Sequence, residues 1–179
     1  VWAGANGSKY PLPSELDSGQ STVAGTGSDV RKDNTGNILS VMIFNGNISP
    51  EICISPAESN TGSVVKMEGY ALSNPTGAAV SASALWDPRF KGAPNGTWGN
   101  SLTADTDVNR PGNNSYAHIP PYFRRKALWG DTYSSTEAVF GNRGPQYSGT
   151  SNPSNGRWAL ASGTYGTTSN TLLIHGGRS

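Results

Sequence analysis

The chain carries only two imidazoles, His118 and His175. An imidazole can act as a general base, a proton shuttle or a metal ligand. His175 opens "HGGR", a Gly-rich run that would suit an oxyanion-hole loop. Such a loop works with a Gly-x-Ser-x-Gly nucleophile turn, and no such pentapeptide is present. His118 lies within "SYAHIPP", an apolar, extended stretch. We therefore expect both histidines to be packed, hydrogen-bonding residues. A metal or hydrolytic centre that used both with a carboxylate is an alternative reading, and no ligand spacing marks one. The single cysteine, Cys53, sits between two isoleucines. A lone Cys builds neither a disulfide framework nor a thiolate metal site, so a small buried apolar role is expected.

"DTDVN" places Asp105, Asp107 and Asn109 at alternate positions, the pattern of a loop that can wrap Ca2+. An EF-hand would require Gly where Arg110 stands and Glu where Tyr116 stands, so this is not an EF-hand. These three residues are weak calcium candidates, and no other metal or cofactor is expected. Four of the five tryptophans, Trp86, Trp98, Trp129 and Trp158, are expected to anchor core and loops. If Trp86, Trp98 and Trp129 instead formed an exposed cluster, they would make a sugar-stacking platform.

Composition narrows the class. Hydrophobic residues make up 34% and charged residues 14%, both below the usual share, so Gly, Ser, Thr, Asn and Pro fill the chain. This predicts a loop-rich domain with short strands. A net charge of +1 offers no electrostatic footprint for nucleic acid. The basic run Arg124-Arg125-Lys126 is followed by Asp131 and Glu137 and reads as a solvated patch. No transmembrane run is visible, and the low charge matches exported surface proteins.

The elements that would position these residues follow from punctuation. Val1 to Ala3 reads as the end of a helix, closed by Gly4, Asn6 and Gly7. Residues 14 to 34 are polar and read as a surface loop. "NILSVMIF" predicts a two-turn helix capped by Asn34 or Asn37 and ended by Gly46, with a buried strand as the alternative because β-branched residues are dense. Strands are expected over 51–55, 64–72, 115–119, 136–140, within 156–162 and over 171–174. No helix-length amphipathic segment separates them, so the sheet should be largely antiparallel.

The ordered segments "VWAGANGSKYPLP", "GNILSVMIFNGNISPEICISPAESN", "SALWDPRFKG", "NNSYAHIPPYFRR", "STEAVFGNRGPQY" and "SNTLLIHGGRS" together resemble the globular part of planctomycete-type prepilin-like proteins, the N-terminal cleavage/methylation family. The layout is similar to that of type IV pilins and type II secretion pseudopilins. The resemblance runs over nearly the whole chain, and "GNISPEICISPAESN" is its most specific stretch.

It implies an α+β fold: one pilin-like headpiece over 1–179, mostly antiparallel sheet with long loops and one or two short helices. This headpiece would follow an apolar N-terminal helix of which residues 1–3 are the end. It implies a non-enzymatic subunit of a pilus-like or pseudopilus-like assembly, exported to the cell surface, periplasm or extracellular space. The partners would be further copies or other pilin-like subunits, and the membrane would be reached through the upstream helix. No small-molecule substrate is expected. In the family, chain continues after the "HGGR" position, so the sequence reads as cut at both ends. The rival readings are a secreted β-rich carbohydrate-binding module and a hydrolase or metalloprotein using His118 and His175.

Overall fold

The computed structural model describes residues 1–25, 30–58, 61–62, 64–92, 111–119, 121, 124–132, 139–142, 147–148 and 159–160. Within them the chain is α+β in a loose sense, with short helices around one central helix and small antiparallel sheets.

The central element is the helix Thr35–Phe44, here α3; before it come α1 (Trp2–Ala5) and α2 (Pro13–Leu16). Asn34 begins α3. Its backbone is extended, and its side-chain oxygen accepts the Asn37 N–H at 2.9 Å. Gly46 ends it with φ +66°, a conformation that favours glycine. The Gly46 N–H then donates to the Ile43 carbonyl and the Asn47 N–H to the Met42 carbonyl, the paired closure of a Schellman motif. These two terminal signals decide for helix over strand, despite the β-branched residues in between.

Helix α3 is buried on nearly every side: Gly36 through Val41 and Ile43 are all inaccessible. An apolar stripe along one face would suit a surface helix; burial all round marks a core helix. Three separate clusters share it. Leu39 and Ile43 pack with Cys53 and Phe90. Ile38 packs with Leu12 and Trp129. Val41 packs with Val23 and Trp86. Where α3 meets the 90–92 segment the two backbones touch. A Cβ on Gly36 would lie 2.8 Å from the Gly92 nitrogen, and one on Gly92 would lie 2.5 Å from the Gly36 nitrogen.

Strand β1 (Tyr116–His118) pairs antiparallel with β2 (Phe140–Asn142), with His118 opposite Phe140. Strands β3 (Tyr147–Ser148) and β4 (Ala159–Leu160) form a second antiparallel pair. The helix α4 (Arg124–Leu128) leads into Trp129. The expected 115–119 strand is therefore present. Of the 136–140 strand, residues 136–138 lie outside the described residues, and the paired segment starts at Phe140. The 171–174 strand also lies outside them.

Three expectations differ from the structure. Residues 51–55 are not a strand. Pro50–Cys53 is a 3-10 turn, because Pro50 supplies a helical φ at its start and Cys53 turns inward onto Leu39 and Ile43. Residues 64–72 form no strand either. Val64 makes one isolated parallel bridge to Gly112, and the chain then turns at Gly69, with φ +67°. The stretch 14–34 is only partly a surface loop among its described residues: Glu15, Leu16, Ser18 and Arg31 are exposed, but others turn inward. Ser14, Asp17, Thr22, Val23, Lys32 and Asp33 are buried, and Pro13–Leu16 and Val30–Lys32 are helical turns. A polar segment can go inside only if its polar groups find partners, and these do.

Candidate functional site

Three kinds of feature could carry function: buried polar clusters, the histidine, and an open apolar groove. One buried polar cluster centres on Asp17. Its carboxylate accepts the Thr22 and Val23 N–H groups at 2.9 and 3.0 Å and the Ser21 hydroxyl at 3.2 Å. The Lys32 ammonium donates to Asp17 Oδ2 at 2.9 Å and to the Asp17 carbonyl at 2.7 Å, with both side chains fully buried. Burial alone would raise the carboxyl pKa. The Thr22 and Val23 amides and Lys32 overcome it and hold Asp17 below the usual value.

Next to it, Asp33 accepts from the Ser14 N–H at 2.8 Å and the Ser14 hydroxyl at 2.7 Å, yet burial still pushes its pKa up. Further along α3, Asp87 is buried against Arg89 at 2.7 Å; the guanidinium and the Ala71 and Arg89 amides outweigh burial and keep it low. Tyr70 reaches α3 there: its hydroxyl donates to the Ser40 carbonyl at 2.7 Å and accepts from the Asp87 N–H at 3.2 Å. Burial pushes the Tyr70 phenol up to about 12. The Ser115 hydroxyl donates to buried Glu58 at 2.7 Å. These clusters hold loops to α3. Ser14 and Ser115 each face a carboxylate with no imidazole between, so neither is an activated nucleophile.

His118 is placed by β1 so that Nδ1 lies 2.9 Å from the Thr35 hydroxyl at the start of α3. Its ring meets Trp129 edge-on at 5.4 Å and Phe140 at 6.0 Å. Nε2 is buried and has no hydrogen-bond partner among the described residues. Burial lowers the ring pKa from 6.5 to about 4. The partner of Nδ1 is a hydroxyl where a triad would have a carboxylate. Among the described residues no group of three His, Cys, Asp or Glu side chains could hold a metal ion.

Cys53 is buried, and burial, with a smaller contribution from the Glu51 charge, pushes its thiol up to about 12, which makes it inert at neutral pH. Trp86 and Trp129 are 0% and 2% exposed and sit in different clusters, so these two form no shared platform. Trp86 Nε1 donates to Asn37 Oδ1 at 3.1 Å, and Trp129 Nε1 to the Pro11 carbonyl at 3.0 Å. His175, Asp105, Asp107, Asn109, Trp98 and Trp158 lie outside the described residues.

The open feature is a groove of about 250 Å³ beside α1. Val1 to Ala3 form one wall, Ile38 and Met42 of α3 another, and Trp129, Val139 and Phe140 a third, with Tyr10 and Pro11 at one end. Val1 is fully exposed and Phe140 is 42% exposed. The segment before α2 is clamped here. Lys9 bridges Gly130, the Tyr10 N–H donates to the Trp129 carbonyl at 3.1 Å, and the Asp131 N–H donates to the Ser8 carbonyl at 2.9 Å. Tyr10 and Trp129 also meet edge-on at 5.4 Å. A smaller cleft of about 140 Å³ shares Trp2, Tyr10 and Pro11 with it, and Lys9, Glu15 and Leu16 also line it. Sequence reasoning missed the groove as a unit. "VWA" and the apolar run 38–44 were both visible, but nothing in either says that they meet over Tyr10.

No protein-family model, no curated protein and no solved structure matches this chain. Among the described residues no helix is long and apolar enough to cross a membrane.

Proposed function

We propose that this chain is the headpiece of a non-enzymatic structural subunit in a pilus-like or pseudopilus-like assembly, exported and displayed at the cell surface or in the periplasm. Its work is packing against further copies or other pilin-like subunits, with an apolar helix upstream of Val1 holding the precursor in the membrane. The observation that carries this reading is the groove beside α1. An apolar seam lined by Val1, Trp2 and Met42 and open to solvent is a surface that a helix could cover, which supports this reading. The pilin-like sheet, the family resemblance and any calcium at Asp105, Asp107 and Asn109 belong to the same proposal. The carbohydrate-binding alternative is weakened by the burial of Trp86 and Trp129, and the hydrolase or metalloprotein alternative by a His118 that faces a hydroxyl and two aromatic rings.

The test is incorporation. Met42 is partly exposed in the groove, and Leu72 is 64% exposed away from it. In the cells that make the protein, Met42→Glu should reduce recovery of the subunit in the sheared surface fraction by about tenfold, the equivalent of ~1.4 kcal/mol. Leu72→Glu should leave recovery unchanged. Equal recovery of both variants would overturn the proposal.

A further inference from the structure

His118 occupies an unusual position behind the groove. It ties three elements together: its own strand β1, the first turn of α3 through the Thr35 hydroxyl at 2.9 Å, and the Trp129 and Phe140 rings. Those two rings are also groove wall. Phe140 is the register partner of His118 across the β1–β2 pair, so one short ladder holds both the histidine and the wall residue. The Ile119 N–H donates to the Val139 carbonyl and extends the same clamp by one rung.

A neutral imidazole needs one donor and one acceptor role; a protonated one needs two acceptors. Thr35 can serve Nδ1 in either state. Among the described residues Nε2 has nothing to donate to, because it is buried without a partner. We propose that His118 is a proton-operated latch: its neutral ring, with Nδ1–H donated to the Thr35 oxygen and Nε2 bare, locks the β1–β2 pair onto Trp129 and α3, and a proton taken from solvent at Nε2 releases the pair and opens the groove wall.

Among the described residues, the charged groups on the packed elements do not rescue the imidazolium. On the α3 side Asp33 is engaged by Ser14. Just before β1, Ser115 engages Glu58. Beside Trp129, Lys126 pairs with Glu15 at 3.0 Å, and Asp131 follows on an exposed turn. Strand β2 carries no titratable side chain over Phe140–Asn142. Burial accordingly lowers the ring pKa to about 4, and no partner raises it. A cation beside an aromatic face gains some attraction, but that gain is smaller than the loss of hydration when the face is buried.

The latch is a property of this fold and does not depend on the assembly proposal. The experiment follows the wild-type ring and the strand amides together by NMR from pH 7.5 to 3.5. The His118 ring should titrate near 4 instead of 6.5. After correction for intrinsic chemistry, exchange at residues 116–118 and 140–142 should accelerate about tenfold per pH unit between those values, while α3 amides stay protected. His118→Phe should remove that acceleration. Because the ring is followed in the unmodified protein, a variant that fails to fold does not spoil the test. A ring that titrates at 6.5, strand exchange that ignores its titration, or loss of α3 protection at the same pH would overturn the latch.

Discussion

Replacing Lys32 by Met probes the least expected feature of the fold, a charged pair sealed inside a polar segment. The Met side chain fills most of the stem volume and removes the ammonium. It leaves the Asp17 carboxylate buried and deletes two hydrogen bonds, of 2.7 and 2.9 Å. Removing one partner of a buried pair costs about 3–5 kcal/mol, because the other charge stays desolvated. Asp17 keeps the Thr22 and Val23 amides, which argues for the low end, about 3 kcal/mol. For a chain of this size 1 kcal/mol moves the midpoint by about 2–4 °C, so Lys32→Met should melt roughly 6–12 °C lower. Thermal unfolding followed by near-UV circular dichroism at pH 7 reads this directly. The pH dependence supplies a second readout. The Asp17 pKa is depressed in the fold, so its contribution is present above its ordinary value of 3.8 and is lost as pH falls through the folded value. The deficit of the variant should therefore be largest at neutral pH and shrink in acid. The exposed cation Lys66, paired with Glu68 at 3.0 Å, is the control, and Lys66→Met should leave the midpoint in place. A loss below about 1 kcal/mol for Lys32→Met, or a deficit that grows in acid, would refute the reasoning.

Four further outcomes follow from the same geometry. Gly92→Ala puts a Cβ against the Gly36 backbone at 2.5 Å, where neither chain can yield cheaply, and should cost about 1–3 kcal/mol in urea unfolding. Gly4→Ala, with nothing within 4 Å, should be neutral or slightly stabilising. Trp86→Phe strands the Asn37 side-chain oxygen in the core and should cost about 2–3 kcal/mol by the same measurement, with the 22–23 amides exchanging faster. Cys53, buried and with its thiol near 12, should resist iodoacetamide at pH 8 in the native protein and react fully in denaturant; prompt native labelling would contradict its place in the core.

What the sequence made legible was local. Asn34 and Gly46 set the ends of α3 by side-chain capping and a positive φ, interactions that reach across only three or four residues. The β1 segment around His118 was readable for the same reason, as was the inward role of Cys53. The failures were tertiary. "EICIS" has strand propensity, but Pro50 and the pull of Cys53 toward Leu39 favour a tight turn. The 14–34 stretch reads as solvated because Ser, Asp and Lys are polar. Its burial depends on Asp17 meeting Lys32 and Asp33 meeting Ser14, pairings at separations of 15 and 19 residues that no periodicity encodes. The groove was hidden likewise, since it forms only when Lys9 and Tyr10 are clamped to residues 129–130, more than a hundred positions away.

The most direct check of the assembly proposal is photo-crosslinking from position 42, with a benzophenone amino acid in place of Met42, in the cells that make the protein. If the seam beside α1 is a subunit contact, irradiation should give an adduct at the mass of a second copy or of another helix-bearing subunit, and Val1 or Trp2 should lie close to the joined residue. If irradiated protein stays at its own mass while the variant reaches the cell surface, the seam is not a contact.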